Sequence, residues 1–325
     1  MNTLKPCLKS MKNYDLLELF RSQARHIAVY ARYLELLGVD PLKVNFPDEI
    51  PFLPIRFFKT HKVYNAPGPH THIFTSSATT GMVPSLHYVD SLGRYGKNVL
   101  DIFRFFYGDP SRYTILALLP SYLERPGSSL VYMMQVLMEK SGTGADGFYL
   151  SNQEALYHRL LDLAWREKPV WLIGVAFALL DFVKKFTLSH PGLIVVETGG
   201  MKGRGTDLSR EELHERLQAG FPASPIHSEY GMAELFSQAY ACSDDLFFSC
   251  PPVMQVMIRN LQDPFSPEPD GSAGGINIID LANTHSCSFI ETEDLGFRIR
   301  GGQFQVLGRI PDAERRGCNM LIDIS

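Results

Sequence analysis

The 325-residue chain is 45% hydrophobic and 20% charged, ordinary globular composition with material for one large domain or two. Its net charge of −4 offers no basic field, which counts against a nucleic-acid partner, and no apolar run is long enough to span a membrane. Lys5 and Lys9 have no apolar stretch behind them, so the N-terminus does not read as a secretory signal. The five cysteines, Cys7, Cys242, Cys250, Cys287 and Cys318, are odd in number and form no C-x-x-C pair. That usage fits free thiols in a reducing compartment, and the expectation is a cytoplasmic protein. Cys242 and Cys250 with His227 match no zinc spacing.

Leu16, Leu17, Phe20, Ala24, Ile27, Ala31 and Leu34 recur at helical spacing over residues 14–37, and Gly38 supplies a stop. Pro51 and Pro54 then predict an extended segment over 51–59. An apolar strand end at Ile73 and Phe74 runs into the hydroxyls Ser76, Ser77, Thr79 and Thr80, then Gly81. Hydroxyls and free backbone N–H groups are donors without bulk, as a triphosphate-binding loop requires. The loop lacks the Walker pattern, and a plain Ser/Thr turn accounts for the same residues.

From residue 113 the chain alternates. Strands are predicted at 113–119, 147–150, 170–173 and 193–197, with helices at 128–140, 152–167, 175–186 and 210–219. Ser209 and Glu212 form a capping box for the last helix, and Gly220 ends it. Such alternation implies a largely parallel sheet with helices on both faces. Gly174, Val175 and Phe177 follow one strand, small and apolar enough to wall an acyl chain or to start a core helix. Thr198, Gly199, Gly200, Met201, Lys202 and Arg204 follow the next. Glycines there admit a ligand ring close to the backbone, and the two cations can face phosphate or solvent.

A short apolar run at 223–226 enters the stretch that organises the chain, Ser228, Glu229, Tyr230, Gly231, Met232, Ala233 and Glu234, and a helix-like run over 235–240 leaves it. The prediction is a strand that ends, a turn at Gly231, and a ring with two carboxylates presented there. Ligands of open α/β sheets sit at the carboxyl ends of strands. A ring there can stack on a base, and a carboxylate can hold Mg²⁺ between phosphates. A strand-to-helix turn with a core tyrosine and a solvated glutamate fits the same residues.

After residue 241 the helical pattern stops, and strands at 253–258, 275–279, 287–290, 297–299 and 304–307 are joined by turns rich in Pro, Gly and Asp. This part also holds Asp294 and Arg309; an acid at a strand end can bind a ribose diol with an arginine close by, and exposed turn residues are the alternative for both. The expected organisation is an α/β core with an N-terminal helical segment over 1–241 and a β-rich subdomain over 242–325.

Taken together and in this order, the hydroxyl loop, the Gly199–Gly200 loop, the Tyr230–Glu234 turn, Asp294 and Gly308–Arg309 resemble the adenylate-forming acyl synthetases. Within that superfamily the likeness is strongest to the LuxE acyl-protein synthetases, through residues 228–240, 263–266, 276–283, 286–290 and 316–319. It extends over about residues 50–322. The resemblance implies the N-terminal domain fold of those enzymes. It matches Ser76, Ser77, Thr79, Thr80 and Gly81 to the loop on the β- and γ-phosphates, with Thr80 counted among the catalytic residues. Gly199, Gly200 and Met201 match the adenine-lining segment, and Tyr230 the stacking ring. Glu234 matches the Mg²⁺ carboxylate, Asp294 the ribose ligand and Arg309 its neighbour. Glu229, Gly231, Met232 and Ala233 are grouped with these nucleotide contacts.

Ala78 stands where relatives have glycine, and Ser85 where many have lysine. The resemblance also implies that the C-terminal lid domain with its catalytic lysine is absent, as is an acyl-accepting cysteine beyond Cys318. Lys202 is then the candidate cation for developing charge. The implied activity is formation of an acyl-adenylate from a carboxylic acid, a fatty acid by the resemblance, and Mg·ATP. The acyl group would pass to CoA, an acyl carrier protein or a LuxC-like reductase. Two rival readings stand beside it: an ATP-independent acyltransferase, and a non-catalytic scaffold that binds acyl groups or nucleotide.

Overall fold

A computed structural model describes residues 13–76, 83–120, 127–150, 152–166, 168–199 and 208–310. In chain order the elements are α1 (Asn13–His26), α2 (Ala28–Leu36), β1 (Leu53–Pro54), α3 (Phe57–Thr60), β2 (His72–Thr75), β3 (Leu86–Val89), α4 (Leu92–Tyr107), β4 (Thr114–Leu118), α5 (Ser129–Ser141) and β5 (Gly147–Tyr149). They continue with α6 (Gln153–Ala164), β6 (Val170–Gly174), α7 (Ala176–Val183), β7 (Leu193–Glu197), α8 (Arg210–Gly220), β8 (Ile226–Tyr230), β9 (Ala239–Ala241), β10 (Met254–Arg259), β11 (Ala273–Asp280), β12 (Phe289–Arg298) and β13 (Phe304–Arg309). The described residues of Met1–Phe57, Val63–Asn65 and Pro252–Ser325 form one compact unit, and those of Phe58–Lys62 and Ala66–Pro251 form the other.

The larger unit is built on a six-stranded sheet in the order β5-β4-β6-β7-β8-β9, parallel except for the β8–β9 pair. Every residue of β4 and β6 is buried, which is why these strands read as unbroken apolar runs rather than alternating ones. Three of the unit's helices start at side-chain caps of polar residues in the βα alternation. Ser128, Asn152 and Ser209 accept N–H bonds from Val131, Ala155 and Glu212, and the Ser209–Glu212 capping box forms in full. Phe182 of α7 stacks on Phe221 just past α8, with ring centroids 5.6 Å apart.

Two elements of this unit differ from the sequence reading. Helix α4 was not expected, although its signal is present: Ser91 caps it, and Tyr95, Val99, Ile102 and Phe103 line its buried face. The run at 235–240 does not form a helix. It turns back through an irregular stretch into β9, which pairs antiparallel with β8 in the register Tyr230↔Ala239. Every residue from Leu235 to Tyr240 is buried, Ser237 and Gln238 included, and Asn98 Nδ2 donates to Phe236 O at 2.9 Å. A surface helix would expose one side of that run; a hairpin into the core exposes neither.

The smaller unit is a five-stranded sheet, β1-β12-β11-β10 with β13 also on β12. The predicted helix at 14–37 is broken into α1 and α2 at Ile27, which is extended and fully buried. By contacts these helices belong with the C-terminal strands, whereas the sequence grouped them with the α/β core. The reason is long-range bonding. The Gln23 amide donates to Asn283 O, Thr284 O and Ser288 Oγ and accepts from Ser288 N, and Phe20 meets Phe289 edge-on at 5.8 Å. The segment at 51–59 is extended only at its start, where β1 runs parallel to β12, and then makes one helical turn in α3. The acidic stretch at 293–296 is not a turn between two strands. It lies inside the ten-residue β12, with a register shift at Leu295/Gly296.

Candidate active site

Three loops singled out in the sequence leave neighbouring parallel strands at the same level. Gly174, the last residue of β6, is in register with Glu197 of β7, and Glu197 with Ser228 of β8. Backbone bonds extend the match: Thr198 N donates to Gly174 O at 3.0 Å, and Ala176 N to Gly199 O at 3.1 Å. The loop residues after β6, β7 and β8 therefore share one carboxyl edge of the sheet, the position at which such sheets take ligands. Gly174 and Val175 are buried and Phe177 is half-buried. A Cβ on Gly174 would lie 2.7 Å from Leu179 Cγ, so packing alone requires glycine there.

Strand β8 sends alternate side chains to opposite sides. Ser228 lies against His214 of α8, Oγ to Nε2 2.8 Å. Tyr230, 8% exposed, faces Phe248 with ring centroids 5.8 Å apart. Between them Glu229 takes the hydroxyl hydrogen bond of Thr198. A Cβ on Gly231 would overlap Glu229 Oε1, so any other residue here would displace that carboxylate. Ala233 O is held by His87 Nδ1 at 2.7 Å, and Glu234 follows, 4% exposed. The sequence alternative of a solvated Glu234 is thereby excluded. At the end of β2, Ser76 Oγ accepts Ser85 N at 2.9 Å.

Glu229 is a strongly perturbed carboxyl at this edge. Burial raises its pKa from 4.5 to about 7; the Thr198 bond lowers it, and the charge of Glu197 raises it. An unfolded Glu229 ionises near its ordinary value and the folded one near 7. Between those pH values unfolding releases a proton, and rising pH favours the unfolded chain. Glu229→Gln keeps an acceptor for Thr198 and removes this ionisation. We expect it to leave stability unchanged at pH 4 and to raise it at pH 8, by about 3 kcal/mol at most. Urea titrations at both pH values check this, and equal effects at both would show that Glu229 does not titrate in this window.

Glu197, at the end of β7, binds both sides of the following loop. Oε2 accepts Gly199 N at 3.1 Å, and Oε1 lies 2.9 Å from Arg210 Nη1, the first residue of α8. Burial would raise the pKa of Glu197. The Arg210 charge, then hydrogen bonds from His214 and Ser228, outweigh burial and hold the carboxyl below its ordinary value. The sequence reading assigns no site role to Glu197, Arg210 or His214, although Thr198 falls in a loop that it does select. The one signal for them was position, since all flank the two loops it did select.

In the smaller unit Asp294 and Arg309 are directly opposed on β12 and β13, with Arg309 Nε 3.2 Å from Asp294 Oδ1 and Nη1 3.5 Å from Glu293 Oε2. Asp294 is buried, and the Arg309 side chain is 73% exposed. Ser77, Thr79, Thr80, Gly81, Gly200, Met201, Lys202, Arg204 and Cys318 lie outside the described residues. Among the described residues no three His, Cys, Asp or Glu side chains gather as a metal cluster, and no helix is long and apolar enough to cross a membrane.

No family model and no curated protein sequence matches the chain. Solved structures do resemble it. The open conformation of 2-hydroxyisobutyryl-CoA ligase (HCL) in complex with 2-HIB-AMP and CoA has a TM-score of 0.68 and 13% identity, over 91% of this chain and 74% of that one. The same ligase in the postadenylation state with R3-HIB-AMP gives 0.66 and 12%, over 92% and 68%. ATP-bound MatB from Rhodopseudomonas palustris gives 0.53 and 17%, over 73% of this chain and 47% of that one. The chain thus spans about half the length of MatB. What these likenesses establish is the fold: the mixed α/β architecture with its parallel sheet, expected from the sequence, is one that this chain shares with acyl-CoA ligases.

Proposed function

We propose that the chain is an AMP-forming acyl-activating enzyme of the LuxE type. The observation that carries this reading is the register of Gly174, Glu197 and Ser228, which brings the loops after β6, β7 and β8 to one carboxyl edge. The fold shared with ligases whose structures hold ATP, or 2-HIB-AMP and CoA, supports it. In this reading Tyr230 stacks on adenine, and Gly199, Gly200 and Met201 line it with the backbone of residues 229–233. Asp294, steadied by Arg309, takes the ribose diol. The hydroxyl loop from Ser76 to Gly81, Thr80 included, donates to the β- and γ-phosphates, and Lys202 offers a cation. Gly174, Val175 and Phe177 wall the acyl group.

The carboxylate oxygen of the acid attacks the α-phosphorus, the bond to pyrophosphate breaks, and an acyl-adenylate forms. A thiolate then attacks the acyl carbon and AMP leaves. Positioning and charge stabilisation suffice for such chemistry. Bound Mg²⁺ would neutralise phosphate charge. With no cluster of protein donors among the described residues, the site fits a cation that draws most of its oxygens from phosphate and water, with Glu234 as the protein carboxylate. The acid is a fatty acid in this reading, and the acceptor a LuxC-like reductase, an acyl carrier protein or CoA.

The test is carboxylate-dependent ATP–pyrophosphate exchange by the purified chain against a panel of fatty and aromatic acids. Exchange with at least one acid is expected. Nucleotide binding without exchange would favour the scaffold, and acyl transfer from a thioester without ATP would favour the transferase.

A further inference from the structure

Glu197 and Arg210 make an ion pair at the carboxyl edge of the sheet, its acid buried and its arginine half-buried, and each is tied to a different ligand-facing element. Glu197 is 1% exposed, so the sheet supplies its charge with almost no water. Its two oxygens divide their work: one holds the N–H of Gly199, the other the guanidinium of Arg210. Arg210 in turn lies over the face of Phe248, 4.8 Å from the ring centroid, and Phe248 is the ring against which Tyr230 packs. His214 completes the surroundings, 4.0 Å from Glu197 Oε1 and hydrogen-bonded to Ser228 beside Tyr230. A continuous set of contacts therefore runs from Gly199 through Glu197, Arg210 and Phe248 to Tyr230.

We propose that Glu197 and Arg210 are positioning residues: they fix Gly199 and Tyr230 relative to each other and so set the affinity of the site for an adenine ring. This rests on the reading of Gly199 and Tyr230 as adenine contacts. The physical argument is one of shared support. Without Arg210 the buried Glu197 carboxylate loses its largest compensating charge and must take a proton or turn toward His214 and Ser228, which loosens its hold on Gly199 N–H. Phe248 loses the cation on its face at the same moment, and Tyr230 loses a fixed wall. Both sides of an adenine slot loosen together, and the added freedom has to be removed again on binding. Gly174 adjoins Glu197 through the backbone pairing of β6 with β7 and not through its carboxylate, so the acid should sense the change less than the nucleotide does.

The test uses the full chain with AMP as the probe in calorimetry, and exchange kinetics with ATP and the best acid. Arg210→Met should weaken AMP binding about tenfold and raise the KM for ATP by a similar factor, with the KM for the acid within about twofold of the parent value. Arg210→Lys restores a positive charge to Glu197 and should recover part of the AMP affinity. A purely structural ion pair would lower the melting temperature without this split. Unchanged AMP affinity in folded Arg210→Met, or equal losses for ATP and acid, overturns the positioning role. If the parent chain itself binds neither AMP nor ATP, the adenylate-forming reading fails, and this inference falls with it.

Discussion

Glu234→Gln should reduce ATP–pyrophosphate exchange by about a hundredfold or more while leaving the fold intact. Glu234 ends the turn after β8 and is 4% exposed, so its side chain is held in place rather than waving in solvent. Glutamine keeps the volume and one acceptor oxygen but removes the negative charge. A hard divalent cation prefers charged oxygen, and in the proposed site Glu234 is the carboxylate that the protein offers it. The Mg²⁺ concentration for half-maximal exchange should therefore rise in the variant. Exchange with an unaltered rate and Mg²⁺ dependence would falsify the metal assignment. A melting temperature close to that of the parent separates a loss of chemistry from a loss of fold.

Arg259→Met should destabilise the β-rich unit by about 3–5 kcal/mol. Arg259 is buried at the end of β10 and donates to Ile276 O at 3.0 Å, Asn277 Oδ1 at 2.9 Å and Thr292 O at 2.7 Å. Its Nη2 also lies 3.6 Å from Glu291 Oε1. Burial raises the pKa of Glu291, and the charge of Arg259 opposes this, so removing the arginine leaves a partly buried acid with less compensation. Ile276 O keeps a donor in Thr292 Oγ1 at 2.7 Å, which limits the damage at that carbonyl. The other acceptors lose a charged donor that a thioether cannot replace. Gly275→Ala should reproduce much of the effect, because a Cβ there would overlap the guanidinium of Arg259. Urea titration followed by circular dichroism checks both variants, and losses below about 1 kcal/mol would show that the network contributes little.

Much of the larger unit is legible in the sequence because its signals are local. The run of strands and helices from residue 113 to 220 follows from apolar period and length. Ser128, Asn152 and Ser209 mark helix starts because a cap is made with a residue three positions on. The candidate site was visible in the same way: glycines and hydroxyls after strands, and a ring and carboxylates at a turn, are short-range patterns. The Gly174, Thr198–Gly199 and Glu229–Glu234 segments could be picked out singly, but the register that aligns them is a property of the sheet.

Tertiary structure decided what local pattern leaves ambiguous. The run at 235–240 has the composition of a helix or of a buried strand, and only the available partner, β8, settles it as a hairpin return. Glu293, Asp294 and Gly296 look like a turn, yet the pairing of β12 with both β11 and β13 carries the strand through them and sets Asp294 opposite Arg309. The N-terminal helices join the C-terminal strands because Gln23 finds its hydrogen-bond partners some 260 residues away, at Asn283 and Ser288. The Glu197–Arg210 pair likewise exists only because β7 and α8 bring its members together. Periodicity and caps report on neighbours within a few positions along the chain. Pairing, burial and ion contacts depend on residues far apart in sequence, and the choice among locally equal conformations is made there.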